Sequence, residues 1–253
     1  MITKKWPSEQ NFQAIIFDCD STLTRVEGID ELARFRDVEA PVAELTRQAM
    51  DLGLMGEALY RRRLDLVRPT LSEVQAVGQL YCEQVVPYAA EVIQLFHFIG
   101  KAVYIVSAGL FPAVMDLANY LKVEEDHVFA VDVIFDEQGT YCDFDITSPL
   151  INTGGKITVV EQLKSQHNGL VVIGDGMNDA ETRTVVDKFI GYGGICYREH
   201  IAQLSKVYVT TPNLSVLLPL CLTETEVSAL PNWGKELYAE GVGQIEVGTV
   251  FFK

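Results

Sequence analysis

Three short apolar runs constrain the fold of this chain more than any other feature of its sequence. They are residues 14–17, 102–106 and 170–173, and each ends directly at small or acidic residues. Continuous apolar runs of this length are typical of strands that are buried on both faces of a parallel sheet. Because the loops after parallel strands meet at one edge of the sheet, we expect the polar residues after the three runs to line one crevice.

The segment between the first two runs has helical periodicity. Apolar residues recur at helical spacing in four stretches, which are 29–35, 42–50, 58–67 and 74–85. Glycines and prolines separate these stretches. We predict that residues 25–86 form a small inserted helical cap domain over the crevice. The rest of the chain, 1–24 and 87–253, is predicted to be an α/β core with a Rossmann-like, doubly wound parallel sheet.

Later segments predict additional strands. Residues 128–135 and 141–146 flank Glu137-Gln138-Gly139, which is typical of a hairpin. The apolar pattern weakens after Cys221, so the tail, residues 222–253, has no assigned role. Its last stretch, 244–252, is predicted either to add an edge strand to the sheet or to contact a partner. The pattern assigns no oligomeric state.

Composition excludes several classes of function. The net charge is -15, which disfavours nucleic acid and anionic membranes as general partners. No run approaches the roughly 20 apolar residues that span a bilayer, and residues 1–13 lack the apolar run of a secretory signal. The cysteines are odd in number and have no C-x-x-C spacing, which favours the reducing cytoplasm. Scattered histidines suggest no zinc site.

Two carboxylates, one residue apart, follow the first apolar run. Asp18 is placed to attack phosphorus as a carboxylate nucleophile, giving an aspartyl phosphate. Asp20 is placed to protonate the leaving alkoxide and then to deprotonate the attacking water, and Thr22 is expected to support the turn. The simpler alternative is a capped turn, since aspartate, serine and threonine are ordinary turn residues.

A second acidic cluster, Gly174-Asp175-Gly176-Met177-Asn178-Asp179, follows the third run. Asp175 is placed to bind magnesium together with Asp18 and the backbone carbonyl of Asp20, an oxygen set that suits a hard cation. Asp179 is expected to hold metal-bound waters or to orient a lysine, and Asn178 to hydrogen-bond the phosphate. A glycine-rich turn with an aspartate cap would explain the glycines, but not two aspartates and an asparagine within five positions.

A serine turn and a lysine complete the set. Ser107, with the amides of Ala108 and Gly109, can cradle phosphate oxygens. Lys156 can neutralise the phosphate and the Asp18 carboxylate together. Alone, each feature is ordinary, because serine-glycine turns are common and lysines are usually solvated. Together with the two acidic turns, however, they supply the four parts of a phosphoryl-transfer site.

These four motifs, residues 18–22, Ser107, Lys156 and residues 175–179, resemble those of the haloacid-dehalogenase superfamily of phosphatases. The resemblance covers most of residues 14–221. It implies magnesium as cofactor and a covalent intermediate on Asp18. Dehalogenase members lack an aspartate at the second position, so Asp20 favours a phosphatase.

The predicted cap resembles that of phosphoserine phosphatases in particular. The resemblance implies that Glu27, Met50 and Arg63 face the substrate, with Glu27 pairing its ammonium and Arg63 gripping its carboxylate through a planar fork. The alternatives are a solvated helix face for the arginine and core packing for the methionine. The chain departs from the family pattern at Ala108, where a glycine is usual, and at Gly56, where a phenylalanine is usual.

The sequence therefore predicts a magnesium-dependent phosphomonoester hydrolase, with O-phosphoserine as the leading substrate. One alternative is a phosphatase for another small metabolite, such as phosphocholine or a methionine-salvage phosphosugar. Another is a phosphotransferase that passes the phosphoryl group to an alcohol such as homoserine. The alternative from a different class is a catalytically silent domain that binds a metabolite or a protein, against which the paired Asp18 and Asp20 argue.

Overall fold

A mostly parallel sheet forms the centre of the molecule. The computed structural model describes residues 8–52 and 56–253, apart from the side chains of 48–52. The strands of this part of the chain are β1 (Ala14–Phe17), β2 (Ala102–Leu110), β3 (Val128–Val131), β4 (Val133–Phe135), β5 (Tyr141–Phe144), β6 (Leu170–Gly174), β7 (Lys188–Tyr192), β8 (Val207–Val209) and β9 (Val250–Phe252). Seven of them form the main sheet in the order β3-β2-β1-β6-β7-β8-β9. All pairs are parallel except β8 with β9, which confirms the predicted parallel sheet.

The register of the three central strands brings their carboxyl ends level. Phe17 at the end of β1 lies opposite Ile105 of β2 and Ile173 of β6. All four residues of β1 are buried, as the apolar run predicts. The second run was predicted to stop at residue 106, but β2 continues to Leu110 with an irregular register against β3. The serine turn is therefore the irregular end of a longer strand.

Four helices occupy most of residues 25–86, which are called the helical segment below. They are α1 (Gly28–Arg34), α2 (Glu39–Leu52), α3 (Glu57–Val67) and α4 (Leu71–Glu83), and each coincides with a predicted helical stretch to within a few residues. Helix α4 begins at a capping box, in which Thr70 Oγ1 accepts from the Glu73 amide and Glu73 accepts from the Thr70 amide. The division of the chain into a core and a separate cap domain stays a prediction.

The remaining helices belong to the predicted core and are α5 (Ala89–Phe98), α6 (Phe111–Leu121), α7 (Gly155–Lys164), α8 (Met177–Glu181), α9 (Glu199–Leu204), α10 (Leu217–Cys221), α11 (Glu224–Ala229) and α12 (Asn232–Glu246). Three of them begin close to the carboxyl ends of sheet strands: α6 after β2, α8 after β6 and α9 after β7. Among the described residues, no helix is both long enough and apolar enough to cross a bilayer.

The prediction of a hairpin was wrong for the first part of its first strand, residues 128–131. Residues 128–131 form β3 at the edge of the main sheet, because helix α6 carries the chain back to pair beside β2. Only β4 and β5 form the antiparallel hairpin. This hairpin contacts the helical segment, since Gly139 O accepts from the Leu71 amide at 2.8 Å and the Phe144 ring lies 4.9 Å from the Tyr60 ring.

The tail adds helices and one strand to the core. The buried Lys101 donates from Nζ to the Phe12 carbonyl, just before β1, and to Glu226 of α11, so it links the tail to the core. Residues 250–252 form the predicted edge strand as β9, whereas 244–246 end helix α12. Contact with a partner through the tail stays a prediction.

Candidate active site

The turn after β1 places two buried carboxylates at the centre of the crevice. Asp18 and Asp20 are almost fully buried, and the Asp18 amide hydrogen-bonds Ile173 O of β6 at 2.9 Å. The Cys19 amide donates to Asp18 Oδ1 at 2.8 Å. Burial raises the pKa of Asp20 to about 6, although hydrogen bonds from Tyr81 and the Gly28 amide act to lower it. The turn thus presents two carboxyl groups in distinct environments.

Lys156 lies between two aspartates. It is the second residue of α7, is 3 % exposed, and its Nζ lies 2.7 Å from Asp18 Oδ1 and 2.6 Å from Asp179 Oδ1. Burial by itself would lower the lysine pKa, but the two carboxylates raise it above its ordinary value. The ammonium therefore stays charged beside Asp18.

Three aspartates form an oxygen-rich cluster. Carboxylate oxygens of Asp18, Asp175 and Asp179 lie within 4.8 Å of one another, and all three residues are buried. Burial and the charge of Asp18 raise the pKa of Asp175 to about 7, against lowering by Arg198 and Lys156. A site with more negative than positive charge and only oxygen ligands fits a hard divalent cation such as magnesium. The Asp20 carboxylate is not part of this cluster, and the prediction assigns only its backbone carbonyl to the metal.

Asp175 is also held by two side chains from other loops. Thr22 Oγ1 donates to its Oδ1 at 3.3 Å, and Arg198 Nε lies 3.3 Å from its Oδ2. Arg198 precedes α9, after β7. Thr22 therefore supports the site through its contact with Asp175, in the acidic turn after β6.

The irregular end of β2 lies against the Asp20 carboxylate. Ser107 Oγ is 3.5 Å from Asp20 Oδ2 and accepts from the Gly109 amide at 2.9 Å. A Cβ on residue 109 would lie 2.9 Å from Asp20 Oδ2, so any other residue there would displace the buried Asp20 carboxylate. Ala108 uses its carbonyl to accept from Tyr60 Oη at 3.0 Å.

One cavity joins the two halves of the site. From the core it is lined by Asp18, Asp20, Ser107, Ala108, Gly109 and Asn178, and from the helical segment by Glu27, Gly28, Tyr60, Arg63 and Tyr81, with apolar side chains between them. Arg63 is 7 % exposed, and its Nε has no hydrogen-bond partner among the described residues. Burial raises the pKa of Glu27 well above its usual range, against lowering by Arg63. The side chain of Met50 lies outside the described residues.

Comparisons with known proteins agree with this site. The family model of the haloacid dehalogenase-like hydrolases matches residues 12–183. The chain belongs to this hydrolase family. It is 35% identical to the phosphoserine phosphatases of Bos taurus and Homo sapiens over 199 residues, which cover 78% of this chain and 88% of each relative.

Solved structures give the same fold for this haloacid dehalogenase-like hydrolase. A phospho-aspartyl intermediate analogue of phosphoserine phosphatase has a TM-score of 0.71 and 25% identity, covering 83% of this chain and 98% of that one. A substrate-bound phosphoserine phosphatase complex gives the same values. The predicted fold class and the resemblance to phosphoserine phosphatases are confirmed.

Within this hydrolase, the predicted residues divide into two groups. Those that line the cavity are Asp18, Asp20, Glu27, Arg63, Ser107, Ala108, Gly109 and Asn178. Lys156, Asp175, Asp179 and Thr22 do not line it but contact Asp18, Asp175 or one another. The individual roles of all these residues stay predictions.

Sequence reasoning missed three polar residues of the site. Tyr60 and Tyr81 occupy helix positions that read as ordinary apolar faces, so no local signal separates them from core residues. Arg198 had a usable signal, because the apolar run 189–192 and the two glycines after it mark another strand end at the crevice.

Proposed function

We propose that this hydrolase cleaves O-phosphoserine to serine and phosphate through an aspartyl phosphate on Asp18. The observation that carries the proposal is the composition of one cavity. It holds the Asp18 and Asp20 carboxylates together with one acidic and one basic side chain, Glu27 and Arg63. A phosphoserine molecule presents a phosphate, an ammonium and a carboxylate, and the cavity offers a group for each. The relatives named phosphoserine phosphatase support the same substrate.

The first chemical step forms the covalent intermediate. An Asp18 oxygen attacks phosphorus, the bond from phosphorus to the serine oxygen breaks, and Asp20 gives its proton to that oxygen. Lys156, 2.7 Å from Asp18 Oδ1, would offset negative charge on the nucleophile and the phosphate. Ser107, the amides of Ala108 and Gly109, and Asn178 would hold the phosphate oxygens.

The second step regenerates the enzyme. Asp20, now a carboxylate, takes a proton from water, whose oxygen attacks phosphorus as the bond to Asp18 breaks. The product is inorganic phosphate. The raised pKa of Asp20 suits a group that must hold a proton in one step and accept one in the next.

Magnesium is the proposed cofactor, held by the carboxylates of Asp18 and Asp175 and by the Asp20 backbone carbonyl. It would neutralise charge that develops on the phosphoryl oxygens. Thr22 and Arg198 would orient the Asp175 carboxylate through their contacts with it, and Asp179 would orient Lys156 through their 2.6 Å contact.

Substrate selection is assigned to Glu27 for the ammonium and Arg63 for the carboxylate. Closure of the helical segment over the ligand would exclude water and strengthen both contacts. Separately, the cysteines Cys19, Cys82, Cys142, Cys196 and Cys221 are free thiols. The proposed location is the reducing cytoplasm, where unpaired cysteines are usual.

A matched substrate panel tests the proposal. O-phosphoserine is compared with phosphoethanolamine, which lacks the carboxylate, with the phosphate ester of 3-hydroxypropionate, which lacks the ammonium, and with p-nitrophenyl phosphate, which lacks both. We expect the highest kcat/KM for O-phosphoserine and no hydrolysis of any of them by Asp18→Asn. Equal kcat/KM for phosphoserine and phosphoethanolamine would contradict the substrate assignment. Phosphoryl transfer to an added alcohol in place of phosphate release would indicate a phosphotransferase.

A further inference from the structure

A tyrosine of the helical segment contacts the proposed acid and base. Tyr81 lies in α4 and is 1 % exposed. Its hydroxyl donates to Asp20 Oδ1 at 2.5 Å, and the Gly28 amide donates to the same oxygen at 2.7 Å. One oxygen of Asp20 therefore carries two hydrogen bonds that both come from outside the core.

The other oxygen faces the core side of the cavity. Asp20 Oδ2 lies 3.5 Å from Ser107 Oγ, beside the predicted phosphate-binding residues. Glycine at position 28 permits the Tyr81 contact, because a Cβ there would overlap the tyrosine hydroxyl. Close packing on both sides thus defines the plane of the carboxyl group.

We propose that Tyr81 is a positioning residue, which holds the Asp20 carboxyl group with Oδ2 directed toward the leaving-group oxygen. The inference rests on the proposed function, in which Asp20 transfers the proton. The Gly28 amide can only donate, so a proton on Oδ1 would face another donor. The proton of the acid form is accordingly carried on Oδ2. General acid catalysis requires the proton donor to lie within hydrogen-bond reach of the leaving group, and Oδ2 is the oxygen that faces it in this proposal.

Leaving groups of different basicity separate this role from a structural one. The serine alkoxide is a strong base and must be protonated as it departs. A p-nitrophenolate ion is weakly basic and departs without a proton. Misplacing the Asp20 proton should therefore slow the first step with O-phosphoserine and spare the first step with p-nitrophenyl phosphate.

The experiment measures release of the leaving group during the first turnover by rapid quench, with magnesium present. For Tyr81→Phe we expect release of serine to slow about tenfold, as for loss of one buried hydrogen bond, with less than about threefold change for p-nitrophenol. Tyr141→Phe is the matched control, because the Tyr141 hydroxyl is buried and has no hydrogen-bond partner in the described part of the chain. It should leave both rates within about twofold of wild type.

A second variant keeps the inference testable if Tyr81→Phe proves unstable. Gly28→Ala keeps the tyrosine but displaces its hydroxyl, and it should reproduce the selective loss with serine as leaving group. Thermal unfolding identifies any variant that is merely unstable. Asp20→Asn, measured in parallel, tests the proton-transfer role itself.

The outcomes are distinct. Equal losses for both leaving groups in both variants would assign Tyr81 a structural role and overturn the inference. Wild-type rates in Tyr81→Phe, with Asp20→Asn slow, would overturn it while leaving the proposed function intact. Unchanged serine release in Asp20→Asn would overturn the proposed mechanism and the inference together.

Discussion

The charged groups on the core loops pair with one another, whereas Arg63 of the helical segment, which lines the same cavity, has a buried nitrogen with no partner among the described residues. On the core loops, Lys156 contacts Asp18 and Asp179, and Asp175 contacts Thr22 and Arg198. These groups hold one another in place without a ligand. Preorganisation of this kind suits residues that stabilise charge during the reaction, because no reorganisation is then required as the charge develops.

Arg63 differs from these paired groups. Its guanidinium is buried over the Tyr60 ring, at 5.2 Å from the ring centroid, yet its Nε lacks a hydrogen-bond partner among the described residues. A buried donor without a partner is costly and therefore rare. The proposed contact of Arg63 with the substrate carboxylate would give this nitrogen a partner.

The largest effect is expected on the core side. Asp18→Asn should lower kcat by roughly 10⁴-fold or more, because an amide is a poor nucleophile and losing a nucleophile removes the chemical route. The thermal transition should remain cooperative, since Lys156 still pairs with Asp179. The measurement is phosphate release by purified protein. Near-normal turnover would contradict a covalent mechanism on Asp18.

Magnesium removal should also abolish turnover. Asp175→Ala is expected to lose activity even in excess magnesium, and calcium should compete but inhibit, because its larger and looser coordination misplaces the Asp18 oxygen. A readout independent of activity is the melting temperature, which magnesium should raise in wild type and not in Asp175→Ala. Full activity in excess chelator would contradict the assignment.

The site residues on the core loops were largely predictable, because the signals for them lie in short stretches of sequence. Asp18 and Asp175 end short apolar runs, and the rule that parallel strands share a crevice brings such ends together without knowledge of the packing. Strand β8 was missed because it has only three residues, 207–209. Strand β7 was missed although its apolar run ends at a glycine turn.

For the helical segment, the sequence predicted the helices but not the contacts that their side chains make. Amphipathic periodicity locates α4 but does not say which neighbour each buried side chain meets. Tyr81 reaches Asp20, which is 61 positions away in the sequence, only because α4 packs across the turn after β1 and residue 28 is a glycine. Arg63 was predicted from resemblance alone, and the run Arg61-Arg62-Arg63 could equally have been a solvated face.

That arginine run offers a direct test of the helical side. Losing one partner of a desolvated charge pair costs about 2–5 kcal/mol, so Arg63→Ala should lower kcat/KM for O-phosphoserine by roughly 30-fold or more. Hydrolysis of p-nitrophenyl phosphate, which has no carboxylate, should change much less. Arg62→Ala is the matched control, since Arg62 is exposed on the same helix. Equal losses on both substrates would mean that Arg63 is structural or binds phosphate.

The smallest effect is expected where the helical segment is stabilised without touching the cavity. Glu73, in the first turn of α4, pairs with Arg36 at 2.6 Å and accepts a hydrogen bond from the Thr70 amide. Burial acts to raise the pKa of Glu73, but the Arg36 and Thr70 hydrogen bonds outweigh it and lower the pKa. The charged form therefore stabilises the fold above the unfolded pKa of about 4.3, and this contribution is lost as pH falls through the folded value.

Glu73→Gln should accordingly lower the free energy of unfolding at pH 7 by about 0.5–1 kcal/mol, as for a partly exposed ion pair. The difference from wild type should shrink toward zero as the pH falls through the lowered pKa of folded Glu73, because both side chains are neutral below it. Glu83→Gln is the control, because Glu83 is exposed at the last turn of α4, where a negative charge is unfavourable to the helix dipole. Denaturant unfolding at several pH values measures the difference, and kcat/KM should not change. A difference that persists undiminished at pH 3 would show that the charge of Glu73 contributes nothing, and a change in kcat/KM would show that stability of α4 is coupled to the site through Tyr81.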